Sequence, residues 1–162
     1  QDGRTFGSVK QISVRVDIAP ATPEDPAVIA LCTEQQAEIE ARYPGADEAP
    51  KGIDPRVEFL LARIGSEPVG CGGLKPLEPG MAEVTRMYVR PAHRGQGISR
   101  MLLQALEEMA LAKGWRTLRL ETGDLQPESI GLYQSSGYRR IPAFGPYVGN
   151  VLSLCFEKHL TD

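Results

Sequence analysis

What this chain of 162 residues lacks already removes several classes of protein. It has no excess of positive charge: 18 Lys and Arg against 21 Asp and Glu give a formal net charge of −3. That balance excludes nucleic-acid binding through bulk positive charge. No run approaches the ~18 continuous apolar residues of a membrane span, so no membrane partner is expected. The three cysteines, Cys32, Cys71 and Cys155, lie far apart and form no CxxC pair. Such a set points to reduced thiols in a cytoplasmic protein and to no metal site. Low-complexity tracts and blocks of like charge are absent. The opening stretch, QDGRTFGSVKQ, has neither a starting Met nor the apolar core of a signal peptide. Residues 1–10 are therefore read as a disordered or appended end. The GxxxxGK[ST] pattern of a P-loop is missing too.

What is present fits one folded unit, and 1–162 is read as a single domain. ISVRVDI (12–18) alternates apolar and polar residues as a half-buried strand does. A helix is expected over 23–42, capped by Thr22 and ended before Tyr43-Pro44-Gly45. The Pro-, Gly- and acid-rich stretch 44–55 reads as a long loop. Strands are expected at 57–65 and 68–77, joined by a turn at Gly65-Ser66-Glu67, and at 81–90. Helical spacing then puts Ile98, Met101, Leu102, Ala105, Leu106 and Met109 on one face, up to a stop at Gly114. A strand follows at 115–122, then a short helix from Pro127 to Gly137, then two final strands in YRRIP and NVLSLCFEKHL. The resulting order, β–α–β–β–β–α–β–α–β–β, specifies a mixed α/β sheet around an antiparallel run.

The junction at 84–103 carries the clearest chemistry. An apolar strand leads into Arg94-Gly95-Gln96-Gly97-Ile98-Ser99 and then directly into a long helix. A helix start presents unsatisfied N–H groups and about half a positive charge, which favours a bound phosphate. Gly95 and Gly97 let the backbone turn so that those N–H groups converge. Arg94 and Arg100 add charge-assisted contacts. Taken alone, the loop is equally a tight turn. Arg100 breaks the GxGxxG of a dinucleotide fold, and no parallel βαβ unit surrounds it.

VTRMYVRPAHRGQGISRMLL resembles the cofactor motif of the GNAT superfamily of acyl-CoA-dependent N-acetyltransferases, [QR]-x-x-G-x-[GA], with Ser99 at the final small position. A second block, LETGDLQPESIGLYQSSGY (120–138), is similar to that family's L-E-x-x-x-x-N-x-x-A-I-x-L-Y-x-x-x-G-[FY]. Here Gln126 replaces Asn and Ser129 replaces Ala. The resemblance covers about 82–140. It implies a mainly antiparallel α/β (α+β) sheet, flanked by helices, whose central pair of strands splays apart. It implies acetyl-CoA as co-substrate, with the backbone of Met87, Tyr88 and Val89 pairing with the pantetheine arm. The N–H groups of 95–100 would take the pyrophosphate, and Gln126 would contact the arm.

Amine acetylation needs a neutral amine, a polarised thioester carbonyl and a proton for the departing thiolate. By the same resemblance Tyr133 is the acid and Val89 N–H polarises the carbonyl. Glu121 and Glu83 stand at the positions of two alternative bases, with Glu121 favoured and a water relay as the third route. As plain sequence, each glutamate is also a strand-end carboxylate able to pair with Arg86 or Arg119, and Tyr133 is also a packing aromatic. His93 reads as a solvated loop residue, and His159 has no assigned role. Tyr43, Arg42, Arg56, Arg86, Phe144 and Tyr147 are candidates for the acceptor side. The expected function is N-acetylation of a primary amine on a small molecule, such as an amino acid or amine metabolite, by direct attack in a ternary complex. A peptide N-terminus or a lysine is the alternative acceptor, and a non-catalytic acyl-CoA sensor the alternative class. Two copies pairing through VLSLCF is a further expectation.

Overall fold

The computed structural model describes residues 14–45 and 52–161. Seven strands form one sheet: β1 (Asp17–Ala21), β2 (Glu58–Ile64), β3 (Glu67–Pro76), β4 (Met81–Val89), β5 (Thr117–Gly123), β6 (Arg139–Ile141) and β7 (Ser153–His159). Their order across the sheet is β1-β2-β3-β4-β5-β7-β6. Every neighbouring pair is antiparallel except β4 and β5. The chain order of elements matches the one expected from sequence.

Three helices flank this sheet: α1 (Pro26–Arg42), α2 (Ile98–Ala112) and α3 (Pro127–Ser135). α1 starts later than expected. Its cap is Asp25, not Thr22: Asp25 Oδ1 accepts from Ala27 N at 2.9 Å, with Pro26 in the first turn. A carboxylate at the cap with Pro just inside is a stronger start than Thr22 followed by Pro23. β1 is likewise shifted from 12–18 to 17–21; residues 12 and 13 lie outside the described residues. It is an edge strand, where Pro20 is tolerated.

The sheet separates two apolar layers. One packs Leu102, Leu103 and Leu106 of α2, with Tyr133 of α3, on Val84, Leu118, Leu120 and Phe156. The other packs Val28, Leu31 and Cys32 of α1 on Phe59, Leu61, Cys71 and Tyr88. Among the described residues no helix is long and apolar enough to cross a membrane.

Two features of β4 place the site. Its parallel ladder to β5 holds only from Met81–Thr117 to Val84–Leu120, so from Thr85 and Glu121 onward the strands part. On its other edge Gly73 faces Thr85 but Cys71 faces Tyr88, leaving Gly72 opposite both Arg86 and Met87. This is a β-bulge, and it re-aims the strand. Ala82 and Val84 face the α2 layer before it; afterwards Val89 does, while Tyr88 turns to α1. Arg86 has φ 59°, the one positive value at a non-glycine among the described residues. That backbone costs roughly 1–2 kcal/mol, so neighbouring structure must hold it.

Candidate active site

Past its last pair with β5, β4 borders a cavity of about 540 Å³ that runs to the start of α2. Met87, Tyr88, Val89, Arg94, Gly95, Gly97, Ile98, Ser99, Arg100, Gln126 and Tyr133 all line it. Of the candidate cofactor residues only Gln96 falls outside the lining; it is exposed. His93, read from sequence as a solvated loop residue, is half-buried in the wall. Sequence reasoning missed most of one side of this cavity, because Gln35, Glu38 and Ile39 of α1 complete it together with Arg42, which the sequence had offered for the acceptor side. Their spacing of three and four residues was visible, but polar side chains on a helix read as a solvated face.

The glycines at the helix start adopt left-handed backbone, φ 79° at Gly95 and 83° at Gly97. Gly97 is the cap of α2, and no side chain caps that end. First-turn N–H groups therefore face the cavity mouth without a side-chain acceptor, the condition that suits a phosphate. The two arginines are tied down on either flank. Arg94 donates Nε to Val89 O at 2.8 Å and Nη2 to Glu38 at 2.9 Å, and its guanidinium lies over the Tyr88 ring. Arg100 donates to the hydroxyls of Ser135 and Ser136 at the end of α3. The bulge is fixed in the same way: Cys71 Sγ–H donates to Arg86 O at 3.4 Å and Gln35 Nε2 to Met87 O at 2.9 Å.

Tyr133 is buried, edge-on to Tyr138 and tilted against Phe156, yet it borders the cavity. Burial first, and the Glu121 carboxylate second, push its phenol well above the usual tyrosine range. Glu121 is the first β5 residue past the last pair with β4, so it stands where the strands part. Ser153 Oγ donates to its Oε2 at 2.6 Å. Glu83 sits lower on β4, only 3% exposed, and accepts a 2.5 Å bond from Tyr147 Oη. Burial raises its pKa above the ordinary glutamate value, against the lowering effect of that bond and of Lys75. Arg119, one partner offered by the sequence, instead donates to Glu157 at 2.8 Å and lies against the Phe144 ring. The loop carrying Phe144 and Tyr147 thus covers the open face of β4 and β5.

A parted strand pair, a glycine-shaped helix start and a buried tyrosine meet in one cavity, and the acetyltransferase (GNAT) family model matches residues 26–138. The chain belongs to the GNAT family. It is therefore an acetyltransferase, and its relatives agree. An IAA acetyltransferase of Azospirillum brasilense is 38% identical over 150 residues, covering 90% of this chain and 98% of that protein. A crystal structure from Klebsiella pneumoniae subsp. pneumoniae, provisionally assigned as an acyl-CoA N-acyltransferase, is 37% identical with a TM-score of 0.80. It covers 92% of this chain and 100% of its own. A GNAT acetyltransferase from Elizabethkingia anophelis with acetyl-CoA bound superposes at a TM-score of 0.68 over 91% of this chain. At 21% identity it speaks for the fold alone. Within the GNAT frame Gln126, at the family's Asn position, lies in the cavity wall, although it caps α3 through no side-chain bond.

Proposed function

We propose that this acetyltransferase moves an acetyl group from acetyl-CoA to a primary amine of a small molecule, by direct attack within a ternary complex. The observation that carries the reading is the meeting of Tyr133, the Met87–Val89 backbone and the uncapped start of α2 around one cavity. The pyrophosphate would rest on the N–H groups of 95–100, and the pantetheine arm would lie along Met87, Tyr88 and Val89. That segment is no longer paired to β5, and although Met87 O and Val89 O accept from Gln35 and Arg94, main-chain N–H groups are left for an extended ligand.

Glu121 is the base in this account. It stands at the parting of the strands, and Tyr133 feels its charge. The amine loses its proton to Glu121, directly or through one water, and its nitrogen attacks the thioester carbon. The carbonyl oxygen leans on Val89 N–H as charge develops. The C–N bond forms, the C–S bond breaks, and the leaving thiolate draws the Tyr133 proton. A phenol held protonated far above neutral pH always has that proton in place and is reset from the amine's proton after turnover. Glu83, covered by Tyr147, keeps a shaping role beneath the acceptor. The test is acetyl-CoA-dependent thiol release against free amino acids, polyamines, aminoglycosides and short peptides. Turnover of a small amine supports the reading. Turnover of peptides alone, or acetyl-CoA binding with no turnover of any acceptor, overturns it.

A further inference from the structure

The cofactor cavity has two walls that come from opposite faces of the sheet. Gln35, Glu38, Ile39 and Arg42 of α1 form one; Gln126, at the cap of α3, and Tyr133 belong to the other. α1 packs in the layer of Phe59 and Tyr88, and α3 in the layer of α2. The separation of these walls sets the width left for an extended ligand, so the ties between them matter. At the end of α3, Arg100 of α2 holds Ser135 and Ser136. The start of α3 is tied to α1.

Tyr43 closes α1, its N–H bonded to Ile39 O at 2.9 Å. Its Oη accepts from Leu125 N at 2.7 Å and donates to Asp124 Oδ1 at 3.2 Å. Arg42 donates Nη1 to Leu125 O at 3.4 Å and lies 3.7 Å from Glu128. Leu125 thus gives both main-chain groups to α1, while its side chain is 55% exposed. Hydrogen bonds rather than apolar packing hold this loop, and Asp124 N adds one to Leu152 O at 2.9 Å.

Gly123 meets the same tyrosine from the other side. Its backbone is not left-handed, so conformation does not call for glycine there. Space does. A Cβ at Gly123 would collide with Tyr43 Oη and stand 2.7 Å from its Cζ, well inside the ordinary contact of about 3.5–4.0 Å.

We propose that Tyr43, seated on Gly123, latches the start of α3 to the end of α1 and so holds Gln126 against the pantetheine arm of acetyl-CoA. Tyr43 is a positioning residue: it acts through Leu125 and Gln126 and touches no reacting atom. This rests on the acetyl-CoA reading above and adds what fixes the width of the slot. The pyrophosphate end is fastened separately by Arg100, so the latch bears on the arm and not on the nucleotide.

The test measures binding of coenzyme A and of 3′-phospho-ADP, which keeps the nucleotide and pyrophosphate but lacks the arm. Calorimetry is run on the wild type, Tyr43→Phe, Gly123→Ala and the double variant. Phenylalanine keeps the ring and removes the hydroxyl; alanine keeps the hydroxyl and drives it from its place. Each single variant is expected to bind coenzyme A roughly threefold to tenfold more weakly, the scale of one net hydrogen bond, with 3′-phospho-ADP unmoved. Both changes break one contact, so the double variant should fall well short of the product of the two losses. If Gly123→Ala does not fold, Tyr43→Phe alone decides. Equal weakening of both ligands, or an unchanged coenzyme A affinity in Tyr43→Phe, overturns the latch and leaves acetyl transfer standing. A folded wild type that binds neither ligand overturns both.

Discussion

Gly72 lies opposite the β4 bulge, and Gly72→Ala tests whether the packing there sets the shape of the cofactor cavity. A Cβ added at Gly72 would stand 2.5 Å from Met87 Sδ and 3.0 Å from Leu106 Cδ1. Ordinary contacts are about 3.5–4.0 Å, so the thioether must move by about 1 Å and the leucine methyl by somewhat less. Overpacking of that kind costs roughly 1–3 kcal/mol, and replacing glycine in a strand returns about 0.5–1 kcal/mol. The net expectation runs from about zero to a loss of about 2.5 kcal/mol. Because Met87 lines the cavity, its displacement should also raise the KM for acetyl-CoA several-fold. Urea unfolding of Gly72→Ala, Met87→Ala and the double variant measures both parts of the argument. Truncating Met87 removes the nearest obstacle, so the two costs should fall short of adding by about 1 kcal/mol. Strictly additive costs would refute the packing described here.

Three further outcomes follow from particular residues. Gly97→Ala meets nothing within 4 Å, so its cost is backbone strain alone at φ 83°; roughly 1–2 kcal/mol of stability should go, together with acetyl-CoA affinity measured by calorimetry. Glu121→Gln should lower kcat/KM by about 10²–10⁴-fold and be partly rescued by an acceptor of lower amine pKa; an unchanged rate would pass the proton to water or to Glu83. Burial makes the folded protein hold the Glu83 proton more tightly than the unfolded chain does. Its ionisation therefore erodes stability as pH rises from the ordinary glutamate value of ~4.3 through its raised folded value. Thermal melts across that window should show Glu83→Gln, which still accepts from Tyr147, gaining on the wild type as pH rises; parallel curves would contradict it.

Much of the frame was legible because it depends on local pattern. The turn at Gly65, the helix of 98–112 and the strands of β2 to β5 follow period and punctuation, and their bounds fall within two residues of expectation. Where local signals conflicted the reading slipped: Thr22-Pro23 and Asp25-Pro26 offer two helix starts, and the carboxylate won. The loop at 94–99 was readable because glycine and arginine carry their reasons in their chemistry. The bulge was not. Nothing about Thr85-Arg86-Met87 departs from a regular strand, and its irregularity arises from pairing with Gly72, distant in sequence. The α1 wall of the cavity and the bond from Tyr147 to Glu83 are long-range in the same sense, joining positions 64 residues apart in the latter case. Of the stretch 44–55, residues 46–51 lie outside the described residues.

The most direct test of the account is single-turnover acetyl transfer by Tyr133→Phe, with acetyl-CoA binding measured on the same protein by calorimetry. The ring still fills its place against Tyr138 and Phe156 while the proton is gone. The rate should fall by about 10²-fold with affinity nearly unchanged. A variant that binds acetyl-CoA and transfers the acetyl group at the wild-type rate would remove Tyr133 from the chemistry and contradict the account.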